Sequence, residues 1–203
     1  MITIRLAEKK DVKSILAIYQ PFIENTPVSF EEIVPTVAQF WERIQKTLQD
    51  YPWLVCEINR DIAGYAYATA HRERASYRWT KEVSVYVHPD YIRCGIGCGL
   101  YTSLIELLKL QGVKNILAGI TLPNKSSVAF HEKFGFSKIG VYRAVGFKLG
   151  RWHDVGWWEM KIDDPNNKPD KRLRKLDEIV DSEDWKAAIE KGIENIKNVL
   201  PPF

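Results

Sequence analysis

The chain has little of what marks the more specialised protein classes. Its three cysteines, Cys56, Cys94 and Cys98, are odd in number and too few for a disulfide framework. Cys94 and Cys98 stand without a second pair or a nearby histidine cluster, so no metal is expected and a reducing compartment follows. Lysine and arginine (29) barely outnumber aspartate and glutamate (26), and no basic stripe is interleaved with aromatics, which argues against a nucleic-acid partner. No apolar run approaches the roughly 18 residues of a membrane span. The opening MITIRLAEKKDVK lacks the roughly 7–15-residue apolar core of a signal peptide. A soluble, cytoplasmic protein without a membrane partner is therefore expected. Internal repeats with periods of roughly 20–50 residues are also missing.

What is present is a 203-residue chain with 45% apolar and 12% aromatic content, enough for one well-filled core and an appendage. Ile2, Ile4 and Leu6 alternate as in a strand, and Val12, Ile15, Leu16, Tyr19 and Ile23 share a helical face. Pro35 heads a second expected helix carrying Phe40, Trp41, Ile44 and Leu48. Residues 53–58 and 62–70 flank Asn59-Arg60-Asp61 as a hairpin would. Leu100, Leu104, Leu107 and Leu108 predict a helix ended by Gly112, followed by a buried strand over residues 116–120. Asn124 to Ser127 can cap a further helix that Gly135 closes. Two last strands are expected at residues 136–142 and 155–162, separated by a loop rich in glycine and aromatics. At Asp163 the composition changes to DDPNNKPDKRLRK. We therefore divide the chain into a domain over 1–162 and, over 163–203, a polar linker with a C-terminal helix. That helix carries Trp185, Ile189, Ile193, Ile196 and Leu200 up to Pro201, packing on the domain or on a partner subunit.

The most informative segment is VSVYVHPDYIRCGIGCGL, residues 83–100: a β-branched strand, a glycine-rich turn, and a helix from about Gly97. Backbone N–H groups around Arg93, Gly95 and Gly97 would converge on one concavity with the positive helix end behind them, which suits a phosphate. A P-loop requires Lys then Ser or Thr after its last glycine, but Leu100 and Tyr101 follow Gly99. A dinucleotide fingerprint is excluded by the early closure at Gly99 and the mid-chain position.

An R-x-G-x-G loop after a mixed-sheet strand resembles the GNAT acetyltransferases. More narrowly, the chain is similar to the phosphinothricin and methionine sulfoximine acetyltransferases. The resemblance is carried by TPVSFEE (26–32), RWTKEVSVYV (78–87), RCGIGCGLYTSLI (93–105), LPNKSSVAFHEKFGF (122–136) and VYRAVGFKLGRWHDVGWWE (141–159). Ile92 departs from the glutamine or arginine usual at the first loop position. The resemblance spans about residues 1–162 and implies an α/β (mixed α+β) GNAT fold: a central mixed, mostly antiparallel sheet flanked by helices, here with a C-terminal helical extension.

It further implies acetyl-CoA as co-substrate. Val85, Tyr86 and Val87 would line the pantetheine arm, Arg93, Cys94, Gly95, Ile96, Gly97 and Cys98 would hold the pyrophosphate, and Asn124 would either contact the cofactor near its thioester or merely cap a helix. Glu82 would be the base that deprotonates the amine. His131 would protonate the departing thiolate, share base duty or only contact the cofactor. Arg72 and Arg74, alternating along a strand end, could grip an anionic amino acid analogue, with Phe30 and Tyr77 as walls. His153 is expected to pair with Asp154, while His71 and His88 carry no signal of their own. The expected activity is direct acetyl transfer to the α-amine of such an analogue by a homodimer. The rivals are a GNAT enzyme for another amine, a non-catalytic acetyl-CoA sensor, and a nucleotide-binding module unrelated to coenzyme A.

Overall fold

The computed structural model describes residues 1–164 and 166–199; Leu200 and Pro201 of the expected C-terminal stripe lie outside them. Twelve regular elements follow in order: β1 (Ile2–Leu6), α1 (Val12–Asn25), α2 (Val37–Leu48), β2 (Trp53–Ile58), β3 (Asp61–Ala70), β4 (Thr80–Val87), α3 (Ile96–Gln111), β5 (Asn115–Leu122), α4 (Lys125–Lys133), β6 (Ser137–Lys148), β7 (Arg151–Lys161) and α5 (Glu183–Lys197). The strands form one seven-stranded sheet in the order β1-β2-β3-β4-β5-β7-β6.

Side-chain alternation divides the sheet between two cores. On β2, Leu54 and Cys56 face α3 and α5, while Trp53 and Val55 face α1 and α2. On β4, Val83 and Val85 join the α3 side, whereas Tyr86 packs on α1. The α3-side cluster also takes Leu176, Ile179, Trp185, Ile193 and Ile196 from the tail, so α5 is packed on the sheet's own core.

Two expectations need correcting. Thr36, not Pro35, begins α2: its hydroxyl accepts from the Gln39 N–H, and the Gln39 side chain accepts from the Thr36 N–H in return. The loop expected between the last two strands is instead strand. β6 and β7 continue to a tight turn at Leu149 and Gly150, both at positive φ. Irregular pairing between Tyr142 and Gly146 hides the alternation there, and β6 is an edge strand whose apolar residues are not confined to one buried face.

Candidate active site

β4 and β5 run parallel but pair only through Thr80↔Asn115, Lys81↔Ile116 and Glu82↔Leu117. Beyond Glu82 they part, and a cleft of about 560 Å³ opens between residues 83–87 of β4 and residues 118–121 of β5. That volume suits a small-molecule site. Strand edges that separate lose their ladder partners, so their N–H and C=O groups are left to bond a ligand laid between them. Val85 and Val87 still pack on the α3-side core, and the Tyr86 ring is held by Tyr19, Phe22 and Tyr65 at 5.1–5.2 Å. Side-chain packing and an available backbone thus coexist on one strand.

Arg93, Gly95, Ile96, Gly97 and Cys98 line one end of this cleft. Arg93 (φ 67°) and Gly95 (φ 78°) both take the left-handed conformation, the geometry that turns successive N–H groups into a concavity. Gly95 is the N-cap of α3 and has no side chain to accept from the first turn, so those N–H groups remain for an anion. Cys94, expected in the loop's binding set, does not line the cleft. It packs against the core, its thiol directed to the Ile92 carbonyl. Asn124 both lines the cleft and caps α4, accepting from the Ser127 N–H at 3.1 Å.

Glu82 is not among the residues that line the cleft; it sits at the last β4–β5 pair, where the strands part, on the α1 side of the sheet with Ser84 and Tyr86. Its Oε1 accepts a 2.7 Å hydrogen bond from His71 Nδ1. Sequence reading missed His71, because it lies beyond β3 and meets Glu82 only through the β3–β4 register, in which Thr69 opposes Glu82. The His71 ring meets those of Tyr77 and Trp157 edge to face. Trp157 in turn lies across Gly119 of β5, whose missing side chain admits the indole. Lys81 is no alternative base: its Nζ is buried, held by the Tyr51 hydroxyl at 2.8 Å, and burial pushes it down to about 8.

His131 lines the cleft from α4 but is engaged at both nitrogens. A carbonyl can only accept, so the 2.7 Å contact to the Ser127 oxygen places the proton on Nδ1, and Nε2 accepts from the Tyr101 hydroxyl at 3.1 Å. Burial holds the imidazole below its ordinary value and drives the Tyr101 hydroxyl far above its own. As arranged, His131 offers no N–H to a leaving thiolate and instead orients Tyr101.

A family model described as an acetyltransferase (GNAT) domain matches residues 4–157. The chain is a GNAT acetyltransferase. It is 41% identical over 165 residues to phosphinothricin N-acetyltransferase of Streptomyces viridochromogenes, covering 81% of this chain and 90% of that one. It is 33% identical over 163 residues to the L-methionine sulfoximine/L-methionine sulfone acetyltransferase of Salmonella typhimurium, covering 80% and 95%. The crystal structure of a GNAT phosphinothricin acetyltransferase from Sinorhizobium meliloti in complex with AcCoA superposes with a TM-score of 0.80 at 32% identity, over 85% and 95% of the two chains.

Within this GNAT fold the expected acceptor-binding residues are not gathered as the sequence suggested. β3 ends at Ala70, so Arg72 and Arg74 sit in an exposed loop and share no strand face. Tyr77 stands against His71, and Phe30 lies over Gly146 near His153. None of these four lines the cleft. The pairing expected between His153 and Asp154 is also absent: His153 Nε2 donates to the Lys148 carbonyl, while Asp154 takes Arg143 and the Ala144 N–H.

Proposed function

We propose that this GNAT enzyme transfers acetyl from acetyl-CoA to the α-amine of a phosphinothricin-, methionine sulfoximine- or methionine sulfone-type amino acid, by direct attack in a ternary complex. The observation that carries the reading is the position of Glu82, a carboxylate at the point where the cleft opens, in a chain whose relatives bear those substrates in their names. The residues fit the cofactor: an anion-binding helix start at one end of the cleft and unpaired strand edges along it. Acetyl-CoA would supply an acyl carbon already activated as a thioester.

Glu82 takes the proton from the substrate ammonium and leaves the lone pair aimed into the gap between β4 and β5. Backbone N–H groups on the β4 edge polarise the thioester carbonyl as charge develops on its oxygen. Nitrogen–carbon bond formation then expels the thiolate, whose proton comes from water, since His131 Nε2 is an acceptor. No protein nucleophile is required; Cys98 lies at the phosphate end and Cys94 faces away. Arg72 and Arg74 would bring positive charge to the acceptor side, with Tyr77 and Phe30 as walls. A thiol-release assay with acetyl-CoA tests the substrate class. Turnover confined to phosphinothricin, methionine sulfoximine and methionine sulfone supports it, and turnover of a polyamine or an aminoglycoside instead contradicts it.

We also propose a cytoplasmic homodimer. Edge strand β6 and the hairpin it forms with β7 expose Ile139, Tyr142, Val145, Phe147, Leu149 and Trp152. An unpaired apolar edge of this kind is normally covered.

A further inference from the structure

We propose that His71 is a positioning residue for the base, its Nδ1–H holding Glu82 in the orientation that catalysis requires. This rests on Glu82 being the base. A carboxylate oxygen can only accept, so the 2.7 Å contact fixes the hydrogen on Nδ1 in either charge state of the ring. Ala70 pairs with Lys81 in the β3–β4 register, so the next residue along, His71, arrives beside Glu82 just as β3 leaves the sheet.

The imidazole is 16% exposed and Glu82 35%. The ring is confined between Tyr77, at 5.8 Å and 77°, and Trp157, at 6.2 Å and 74°, and such edge contacts resist rotation. One carboxylate oxygen is thereby committed, and among the described residues Oε2 takes no hydrogen bond, which leaves it for the substrate ammonium. The other charged or titratable groups nearby are accounted for. On β3, Tyr67 lies opposite Ser84 in the register, and burial raises its hydroxyl above the ordinary value. On β7, Glu159, level with Glu82 across β5, is paired with Lys161. In the loop, Tyr77 meets His71 edge to face, and Arg72, Glu73 and Arg74 are exposed.

Three replacements separate this role from packing. His71→Leu removes the donor, His71→Asn returns an amide N–H close to the Nδ1 position, and His71→Gln places its amide near Nε2 instead. The expected loss of kcat is roughly 10–100-fold for the leucine and glutamine variants, of the size seen when a supporting hydrogen bond is removed from a reactive group. Asparagine should recover kcat to within about threefold of wild type on the same reasoning. Because the loss comes from orientation of the base, it falls on kcat with the KM for the amine changed by less than about threefold, and asparagine restores kcat. The KM for acetyl-CoA stays unchanged in all three. If the leucine variant does not fold, the asparagine and glutamine pair makes the same comparison.

Wild-type kcat in His71→Leu would overturn the proposal, as would a loss confined to the KM for the amine or glutamine rescuing as well as asparagine. Glu82→Gln in parallel tells the two readings apart. An active glutamine variant removes the base itself, whereas an inactive one beside an unaffected His71→Leu removes only the part assigned to His71.

Discussion

At the scale of single residues, what counts is which atoms are already engaged. Glu82 keeps an oxygen for chemistry, while His131 spends both nitrogens on Ser127 and Tyr101. Removing the base with Glu82→Gln should therefore cost far more turnover than His131→Asn, about 10²-fold or more against less than tenfold, read from initial rates. His131 has its own signature in stability. Its folded value is held below the ordinary 6.5 by burial, so the folded state binds fewer protons than the unfolded one as pH falls beneath 6.5. Stability is intact above that value and declines as the pH drops through it. Denaturant midpoints measured between about pH 7.5 and pH 5.5 should fall in wild type and fall less in His131→Asn.

The same scale explains what was legible. Glu82 could be singled out because it lies within a sequence block, RWTKEVSVYV, that carries the family resemblance. His71 could not, because its partner is eleven residues away across a chain reversal whose register no local pattern reveals. Arg72 and Arg74 were expected to alternate along a strand end because nothing in HRERASYRW announces that the strand stops at Ala70.

At the scale of elements, α5 connects the tail to the cofactor end of the cleft. Where it crosses α3, Gly192 and Gly99 meet so closely that a Cβ on Gly192 would lie 2.5 Å from the Gly99 carbonyl oxygen. A Cβ on Gly95 would meet Val199 and the Asn195 carbonyl. Asn195 Nδ2 donates to Thr102 at 2.8 Å, and the buried Ser103 hydroxyl donates to the Ala188 carbonyl. The helix therefore backs the loop that would hold pyrophosphate. Gly192→Ala should cost about 1–3 kcal/mol by overpacking. It should also raise the KM for acetyl-CoA more than that for the amine, as paired steady-state titrations would show. Equal shifts in both constants would mean that α5 contributes only stability. From sequence, the periodicity of Trp185, Ile189, Ile193 and Ile196 was plain, but a one-dimensional pattern does not say which surface receives it.

At the scale of the whole molecule, the layered α/β plan was legible because alternating and helical apolar patterns agree with turn residues in most segments. The β6–β7 hairpin was less so, since its irregular pairing and exposed apolar residues break the alternation that identifies a strand. Those exposed residues carry the last structural prediction. Wild type should sediment as a dimer, and Phe147→Glu combined with Trp152→Glu should shift it to monomer while leaving the fold intact. A wild-type monomer at micromolar concentration would contradict the proposed assembly.

The role of Glu82 is tested most sharply by single-turnover acetyl transfer in Glu82→Gln, followed by thiol release after coenzyme A binding has been verified by calorimetry. Cofactor affinity should stay within about twofold of wild type while transfer slows by about 10²-fold or more at neutral pH. Transfer at the wild-type rate with the cofactor bound would contradict the assignment of Glu82 as the base.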